Sequence, residues 1–293
     1  MIKILLDTDI GGDIDDALCL AYLLKEPQCD LIGITTVSGQ SEKRASVADA
    51  ICQAAGKDIP ITAGMDLPLQ PIPVYPTPDG AVALNKWPHK TYKQADAPAF
   101  LYQKIIQNPH EIILIGIGNM TNIGLLFQRY KDAPALLKGL YMMNGYFGDK
   151  PLPDPCYNWN AWADPLASKI VYETPVAIHK TIPLEITDSL TLPAAHAVEL
   201  FKANHPLMKA VFDFSQAWLM SANKLTLHDP LAAVSIFHPS VCTFQKGFVT
   251  VETKIKGKMG STTFTPNLNG FAKIATSVQK DYFYQVLSST LNS

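Results

Sequence analysis

The sequence predicts an α/β fold, in which a mostly parallel central sheet is flanked by helices. In the first half of the chain, short runs rich in β-branched residues alternate with helical patterns, as crossover helices between parallel strands require. The run Glu-Ile-Ile-Leu-Ile-Gly-Ile at 111–117 shows no polar alternation, which is typical of a strand buried on both faces. These two patterns together indicate a layered fold built around a buried sheet.

Each element can be placed in order along the chain. Strands are expected at 2–6, 31–37, 60–64, 111–117, 139–143 and 175–178. Helices are expected between them, at 15–25, 42–55, 97–108, 121–130 and 164–173, with Gly56 ending the second helix. Beyond residue 190 we expect helices at 193–203, 206–222, 229–237 and 278–290, and a strand pair at 248–255 and 261–265. The Pro-rich stretch 68–78 is expected to be an irregular loop.

No repeat, low-complexity tract or clear linker interrupts this pattern. We therefore expect one domain over residues 1–293, with a Rossmann-like sheet and a helix-rich C-terminal half packed on that sheet.

Composition excludes several classes of partner. Hydrophobic residues make up 47% of the chain and charged residues 17%, and the net charge of −2 provides no basic field for a nucleic-acid polymer. No stretch of about 18 apolar residues predicts a membrane span. Five cysteines without C-x-x-C spacing indicate a reducing compartment, and an acidic cluster stands at residue 7, where a signal peptide would be apolar. We expect a cytoplasmic protein.

Five carboxylates crowd the end of the first predicted strand. They lie within ten residues, at Asp7, Asp9, Asp13, Asp15 and Asp16. Like charges at this density repel unless a cation or shared protons relieve them, so we expect a divalent metal ion. The structural alternative is a solvated acidic turn or a set of helix N-caps.

Three other metal or phosphate motifs fit this cluster less well. An EF-hand loop starting at Asp7 would need Glu where Leu18 stands, and no Gly-Lys-Ser/Thr of a Walker loop follows a glycine cluster. The Asp-x-Asp motif of a phosphotransferase matches Asp7-Thr8-Asp9 better, but such an enzyme needs a second acidic metal-binding loop that the sequence does not clearly offer.

Further polar clusters follow other predicted strands or open helices. They are Ser38-Gly39-Gln40, Gly118 to Asn122, Asn144-Gly145, Asn158 to Pro165, and Leu227 to Pro230. Because the carboxyl ends of parallel strands meet at one edge of a sheet, we expect these clusters to converge on a site. Alone, His228 is more typical of a core or N-cap histidine, and Asp229 before Pro230 is typical of a helix N-cap.

With these clusters in place, the chain resembles the inosine-uridine preferring nucleoside hydrolase family. The motifs occur in the family's order over residues 1 to about 235. They are Asp7-Thr8-Asp9 with Asp15-Asp16-Ala17, Thr35 to Gly39, Ala63-Gly64, Gly118 to Ile123, Met142 to Gly145, Asn158 to Asn160 with Asp164-Pro165, and His228-Asp229-Pro230.

The resemblance implies cleavage of the N-glycosidic bond of a ribonucleoside. It implies a Ca²⁺ ion held by Asp9, Asp16, the backbone carbonyl of Thr121 and Asp229, with Asp9 as general base and His228 assisting the leaving base. It places these residues at the substrate: Asp15, Gln40, Met143, Asn144, Asn158, Asn160 and Asp229. It also implies a homodimer or homotetramer whose partner is a small-molecule nucleoside.

Three departures from the family pattern bear on the substrate. Gln40 stands where Asn is frequent, and two additional residues between Asp9 and Asp15 leave the role of Asp13 open. Asn158 stands where a Glu that contacts the ribose 5′-hydroxyl is frequent. Loss of that carboxylate leads to the hypothesis of a modified or 5′-phosphorylated nucleoside substrate, although a purely structural exchange would look the same.

The sequence also bears on the nucleobase pocket and on a non-catalytic alternative. The nucleobase pocket should be aromatic, because stacking on a flat heterocycle buries apolar area. Its candidates are Tyr157, Trp159, Trp162, Phe214 and Trp218. A non-catalytic nucleoside-binding or ribose-binding protein is the alternative from another functional class, which would bind its ligand without consuming it.

Overall fold

A computed structural model describes residues 1–70, 77–149, 158–193, 205–220, 222 and 224–293. Within these residues, nine strands form one sheet in the order β10-β9-β11-β6-β5-β4-β1-β2-β3, and β7 and β8 form a separate pair. The strands are β1 Ile2–Thr8, β2 Cys29–Thr36, β3 Ile61–Ala63, β4 Ile112–Gly116, β5 Gly139–Met143, β6 His179–Ile182, β7 Thr191–Pro193, β8 Lys224–Thr226, β9 Cys242–Val251, β10 Thr262–Pro266 and β11 Ala272–Val278. Neighbours from β11 to β3 run parallel, whereas β9 and β10 join antiparallel, so the mostly parallel sheet is confirmed.

Helices cover both faces of this sheet, as predicted. They are α1 Asp15–Lys25, α2 Ser41–Ala54, α3 Ala97–Gln107, α4 Thr121–Arg129, α5 Ala133–Leu136, α6 Trp159–Ala163, α7 Pro165–Glu173, α8 Leu184–Thr187, α9 Pro206–Leu219, α10 His228–Phe237 and α11 Lys280–Leu291. Short 3-10 helices occupy Asp79–Lys86 and Pro239–Val241. None of the helices in the described ranges has the length and apolar character needed to cross a bilayer.

Strand β1 illustrates why the apolar runs become central strands. Successive side chains of a strand point to opposite faces, and Ile4 and Leu6 join the core beneath α1 and α10 while Leu5 joins the core beneath α3 and α4. All three side chains are fully buried. A run without polar alternation is therefore what a strand between two helical layers needs.

The structure corrects several predicted boundaries. The predicted strand 175–178 is wrong: the strand is β6, His179–Ile182, and residue 175 is a proline, which has no N–H to donate to a sheet. Lys180 fits in this strand because its ammonium group lies 4.3 Å from the centre of the Phe244 ring.

The C-terminal strands begin and pair differently from the prediction. The strand expected at 248–255 already begins at Cys242, because its first half pairs with β11, a strand that the sequence pattern did not indicate. The helix expected at 278–290 is Lys280–Leu291, and the helix expected at 206–222 ends at Leu219. The helix expected at 193–203 falls almost wholly outside the described residues. Gly56 has φ +69° just past α2, as the predicted helix end requires.

The strand register brings the loops of interest to one edge. Asp7 pairs with Gly116 of β4, and Gly116 pairs with Met142 of β5, so the three strands end at the same level. The chain after each of these strands emerges at the carboxyl edge of the sheet, the edge at which open α/β sheets bind ligands.

Candidate active site

A cavity of about 330 Å³ lies at this edge, a volume in the range of small-molecule sites. Its wall contains most of the residues predicted to act at the site: Asp9, Asp15, Asp16, Met143, Asn158, Asn160, His228 and Asp229. The wall also contains Asp13, whose role the sequence leaves open, and residues to which the sequence interpretation gave no role: Gly12, Arg44, Ile117 and Leu184. Residues more than 200 positions apart in the chain thus meet around one space.

Three carboxylates converge in this cavity. Asp15, Asp16 and Asp229 each offer an oxygen atom, and these atoms lie within 4.8 Å of one another. The cause is the packing of two helices: Asp15 and Asp16 form the first turn of α1, Asp229 lies in the first turn of α10, and α1 contacts α10. The Asp229 N–H donates to Asp15 Oδ2 over 3.4 Å, and the Thr8 hydroxyl donates to Asp16 Oδ1.

The electrostatics of this group suit a bound cation. Burial, together with the neighbouring carboxylates, raises the pKa of Asp15 to about 8 and the pKa values of Asp16 and Asp229 well above the usual range. A hard divalent cation relieves such repulsion, and carboxylate oxygens are the ligands that Ca²⁺ prefers. By burial, charge and donor type, the residues present fit a divalent cation.

Asp9 lines the same cavity but is not part of the close carboxylate group. The sequence interpretation had placed Asp9 among the ligands and Asp15 at the sugar, whereas the structure brings Asp15 nearest to Asp16 and Asp229. Burial raises the pKa of Asp9, and the positive charge of Arg44 opposes that rise. A Cβ atom at Gly118 would come within 3.1 Å of Asp9 Oδ1, so glycine leaves the room that this carboxylate needs.

Arg44 is a site residue that the sequence interpretation missed. It lies on α2, is only 1% exposed, and its guanidinium donates to the carbonyl oxygens of Asp9, Ile10 (3.1 Å) and Gly39 (2.9 Å). Arg44 thereby ties the acidic loop to the loop after β2. The sequence did contain a signal for this role: Arg44 lies on a helix face whose other residues are buried. A buried guanidinium needs hydrogen-bond acceptors, so an Arg at such a position indicates a polar site nearby.

Asp7 is a further buried carboxylate, and its hydrogen bonds connect β1 to β2 and α4. Asp7 Oδ1 accepts hydrogen bonds from the Thr35 hydroxyl (2.5 Å) and from Asn122 Nδ2 (2.7 Å). Asn122 Nδ2 also donates to the Thr36 carbonyl. Burial raises the pKa of Asp7 to about 7. The first carboxylate of the motif is therefore held among β1, β2 and α4 and does not line the cavity.

Asn160 and Asn158 are oriented by the backbone around them. Asn160 Nδ2 donates to the carbonyls of Ile117 (2.7 Å) and Met143 (2.9 Å), which uses both amide hydrogens and leaves Oδ1 as the group available to a ligand. Asn158 Oδ1 accepts from the N–H groups of Gly145 (3.0 Å) and Ala161 (3.1 Å), so Asn158 caps α6. Asn158 thus combines a structural role with a place in the cavity wall.

His228 is the first residue of α10 and lines the cavity. Its Nδ1 lies 2.7 Å from the Thr187 hydroxyl. Burial, followed by the charge of Lys224, lowers the pKa of His228 to about 4. The imidazole is neutral at neutral pH, and it can donate to a ligand from Nε2 when Nδ1 accepts the Thr187 hydroxyl hydrogen.

Three predicted site residues do not line the cavity. Gln40 lies in the left-handed region, with φ 62°, at the start of α2. Thr121 is buried, and its hydroxyl donates to Asp164 over 2.6 Å. Asn144 is buried too, and its carbonyl accepts the Tyr172 hydroxyl. Thr121 and Asn144 are held inside the protein by these contacts, whereas Gln40 is half-buried outside the cavity wall.

The aromatic candidates separate into different environments. Trp159 lines the cavity, and Trp162 lies beside it with ring centres 5.2 Å apart. Phe214 is buried in the core, whereas the half-buried Trp218 donates a hydrogen bond to Asp13. Tyr157 lies outside the described residues.

The sheet, its carboxyl-edge cavity and the carboxylates in that cavity define an α/β enzyme with a polar small-molecule site. Residues 4–285 match the model of the inosine-uridine preferring nucleoside hydrolase family, and the chain belongs to this family. The protein is therefore a nucleoside hydrolase, and the resemblance read from the sequence is confirmed.

Individual relatives agree with this assignment. The chain is 27% identical over 267 residues to uridine nucleosidase 1 of Arabidopsis thaliana, covering 86% of this chain and 79% of that protein. It is 29% identical over 274 residues to a non-specific ribonucleoside hydrolase of Salmonella newport, covering 89% and 87%.

Solved structures share the fold. A plant nucleoside hydrolase superposes with a TM-score of 0.86 at 23% identity, covering 100% of this chain and 99% of that chain. A purine-preferring ribonucleoside hydrolase from Gardnerella vaginalis also gives 0.86, at 20% identity, covering 99% and 98%.

Proposed function

We propose that the protein is a Ca²⁺-dependent N-ribohydrolase that cleaves ribonucleosides, with water, to the free base and ribose. The observation that carries this proposal is the single cavity in which Asp9, Asp16, Asp229 and His228 meet. Hydrolysis needs a general base, a cation site and a hydrogen-bond donor for the leaving nucleobase. Binding a sugar alone needs neither the general base nor the donor.

The cation would be held by carboxylates of Asp16 and Asp229, with Asp9, Asp15 and the Thr121 carbonyl as further candidates. When bound, it supplies a binding point for the ribose 2′- and 3′-hydroxyls and increases the acidity of the attacking water. Nearby carboxylates stabilise the positive charge that develops on the ribosyl group as the N-glycosidic bond breaks.

Proton movements are assigned to two residues. Asp9 accepts the proton of the attacking water, a role that suits a carboxylate whose pKa burial has raised. His228 Nε2–H donates a hydrogen bond to the departing base in the tautomer in which Nδ1 accepts the Thr187 hydroxyl hydrogen. Asn160 Oδ1 accepts from a ribose hydroxyl and orients the sugar, because both of its amide hydrogens are occupied.

A modified or 5′-phosphorylated nucleoside is the second candidate substrate. One observation favours it: Asn158 lines the cavity with a neutral amide whose Oδ1 is occupied as the α6 cap. Its Nδ2 donates one hydrogen to Met143 Sδ over 3.5 Å, so the second amide hydrogen is the group left to meet a ligand. An amide donor does not repel a 5′-phosphate as a carboxylate would.

Ribose release tests these assignments. The purified protein would be assayed with inosine, uridine, adenosine, cytidine and inosine 5′-phosphate, each with Ca²⁺ and with excess chelator. Chelator-sensitive release from plain nucleosides supports the main proposal, and a higher kcat/KM for the phosphate supports the second. Calorimetric binding of a nucleoside without release would instead indicate a binding protein. Light scattering tests the homodimer or homotetramer that the family resemblance implies.

A further inference from the structure

Asp13 is a carboxylate in the cavity wall that neither the cation site nor the proton transfers use. It lies in the acidic loop between β1 and α1, and it is more exposed than the buried carboxylates Asp15, Asp16 and Asp229. It is not part of the group whose oxygens lie within 4.8 Å of one another. Asp13 therefore stands nearer the mouth of the cavity than the cation site does.

The neighbour of Asp13 is an aromatic ring. The indole N–H of Trp218, near the end of α9, donates a hydrogen bond to the Asp13 carboxylate. From Trp218 the chain turns, with the Ala222 N–H donating to the Trp218 carbonyl over 2.9 Å, and leads through β8 to His228. Asp13 and His228 both line the cavity, so the carboxylate and the imidazole assigned to the leaving base border the same space.

The loop that carries Asp13 is held in place from outside the cavity. Gly11, with φ +111°, accepts a hydrogen bond from the Gly80 N–H over 2.9 Å. A Cβ atom at Gly80 would lie 2.7 Å from the Phe214 carbonyl, so the 3-10 helix, α9 and the acidic loop meet there with no spare room. These contacts hold the backbone of the acidic loop two residues before Asp13.

We infer that Asp13 is a specificity-determining residue: its carboxylate accepts a hydrogen bond from a ring N–H group of the nucleobase, while the Trp218 indole N–H holds the carboxylate in position. The inference rests on the proposed function, because it assumes that a nucleoside places its ribose at the carboxylate group and its base towards the mouth. A carboxylate accepts hydrogen bonds only, so it favours bases that present N–H at this edge.

The test compares substrates that differ only in this N–H. The pairs are uridine with 3-methyluridine and inosine with 1-methylinosine, and 4-nitrophenyl riboside serves as a substrate without a base. Wild-type enzyme should prefer the unmethylated member of a pair by about tenfold to hundredfold in kcat/KM, the range for a hydrogen bond to a charged group. Asp13→Ala should lose this preference, and its kcat/KM should fall more for the unmethylated member of each pair than for 4-nitrophenyl riboside.

Two further variants separate recognition from structure. Trp218→Phe keeps an aromatic ring but removes the N–H donor, and it should reduce the preference in part. Asp213→Ala is the matched control. Asp213 lies on α9, the helix that carries Trp218, and it accepts an indole hydrogen bond from Trp87 over 3.0 Å, but it does not line the cavity. This control should keep the wild-type preference.

Three results would overturn the inference: no preference in the wild-type enzyme for either pair, an unchanged preference in Asp13→Ala, or an equal loss in that variant on every riboside. If the wild-type protein hydrolyses no riboside, the proposed function fails separately. Calorimetry with uracil, 3-methyluracil, hypoxanthine and 1-methylhypoxanthine then decides the role of Asp13, because base binding needs no hydrolysis.

Discussion

Replacing Arg44 by methionine should destabilise the protein strongly. The variant removes a guanidinium that is 1% exposed and that donates to three backbone carbonyls, at Asp9, Ile10 and Gly39. It also removes the positive charge that opposes the repulsion among the buried carboxylates. Deleting one partner of a buried charged network costs about 3–5 kcal/mol, and we expect a loss of that size in the free energy of unfolding.

Urea unfolding followed by circular dichroism, with chelator present, measures this loss. Arg129→Met is the matched control, because Arg129 is 44% exposed in its ion pair with Asp96 and should cost below about 1 kcal/mol. Arg44→Lys should fall between them, since one ammonium group cannot reproduce the fork of a guanidinium. Saturating Ca²⁺ should reduce the loss by supplying positive charge. A loss in Arg44→Met no larger than in Arg129→Met would refute the reasoning.

Three other perturbations follow from the site and the core. Asp229→Asn should abolish the rise in Tm that excess Ca²⁺ produces in the wild-type protein, as measured by differential scanning fluorimetry; an undiminished rise would place the cation elsewhere. His228→Ala should lower kcat/KM for inosine by about 10²–10⁴ and for 4-nitrophenyl riboside far less, because nitrophenolate leaves without a donor; equal losses would exclude the leaving-group role. His179 is fully buried between the rings of Tyr172 and Phe271, and burial lowers its pKa from 6.5 to about 4. Below pH 6.5 the unfolded chain binds a proton that the folded protein refuses until about pH 4, so wild-type stability should fall over this window by up to about 3 kcal/mol relative to His179→Phe. Urea midpoints at pH 7.5 and 4.5 compare the two proteins, and parallel pH dependence would contradict the assignment.

Local patterns were enough to predict the first half of the fold. Within the run at 111–117, Ile112–Gly116 form β4, and all five of these residues are buried. The helix predicted to begin at Asp15 does begin there. Patterns failed where long-range pairing decides the structure. The pattern at β11, with Lys273, Thr276 and Ser277, does not identify a strand, and the segment is one because β6 and β9 lie on either side of it.

The candidate site divides in the same way. The sequence placed Asp9, Asp16, His228 and Asp229 at strand and helix ends, and the family resemblance gave them their roles. The same resemblance implies Gln40, Asn144 and the Thr121 carbonyl, yet these residues do not line the cavity, because the path of the loop backbone after each strand decides which groups reach it.

The sequence by itself determined the family, the parallel α/β architecture and the acidic chemistry, since these depend on residue type, periodicity and order along the chain. Only the tertiary structure decided that Asp15 joins Asp16 and Asp229, that Arg44 supplies a buried positive charge, and that Asp13 meets Trp218. Each of these relations joins segments far apart in sequence or depends on side-chain direction. The physical reason is that packing two helices and three strand ends against one another fixes distances that no local pattern encodes.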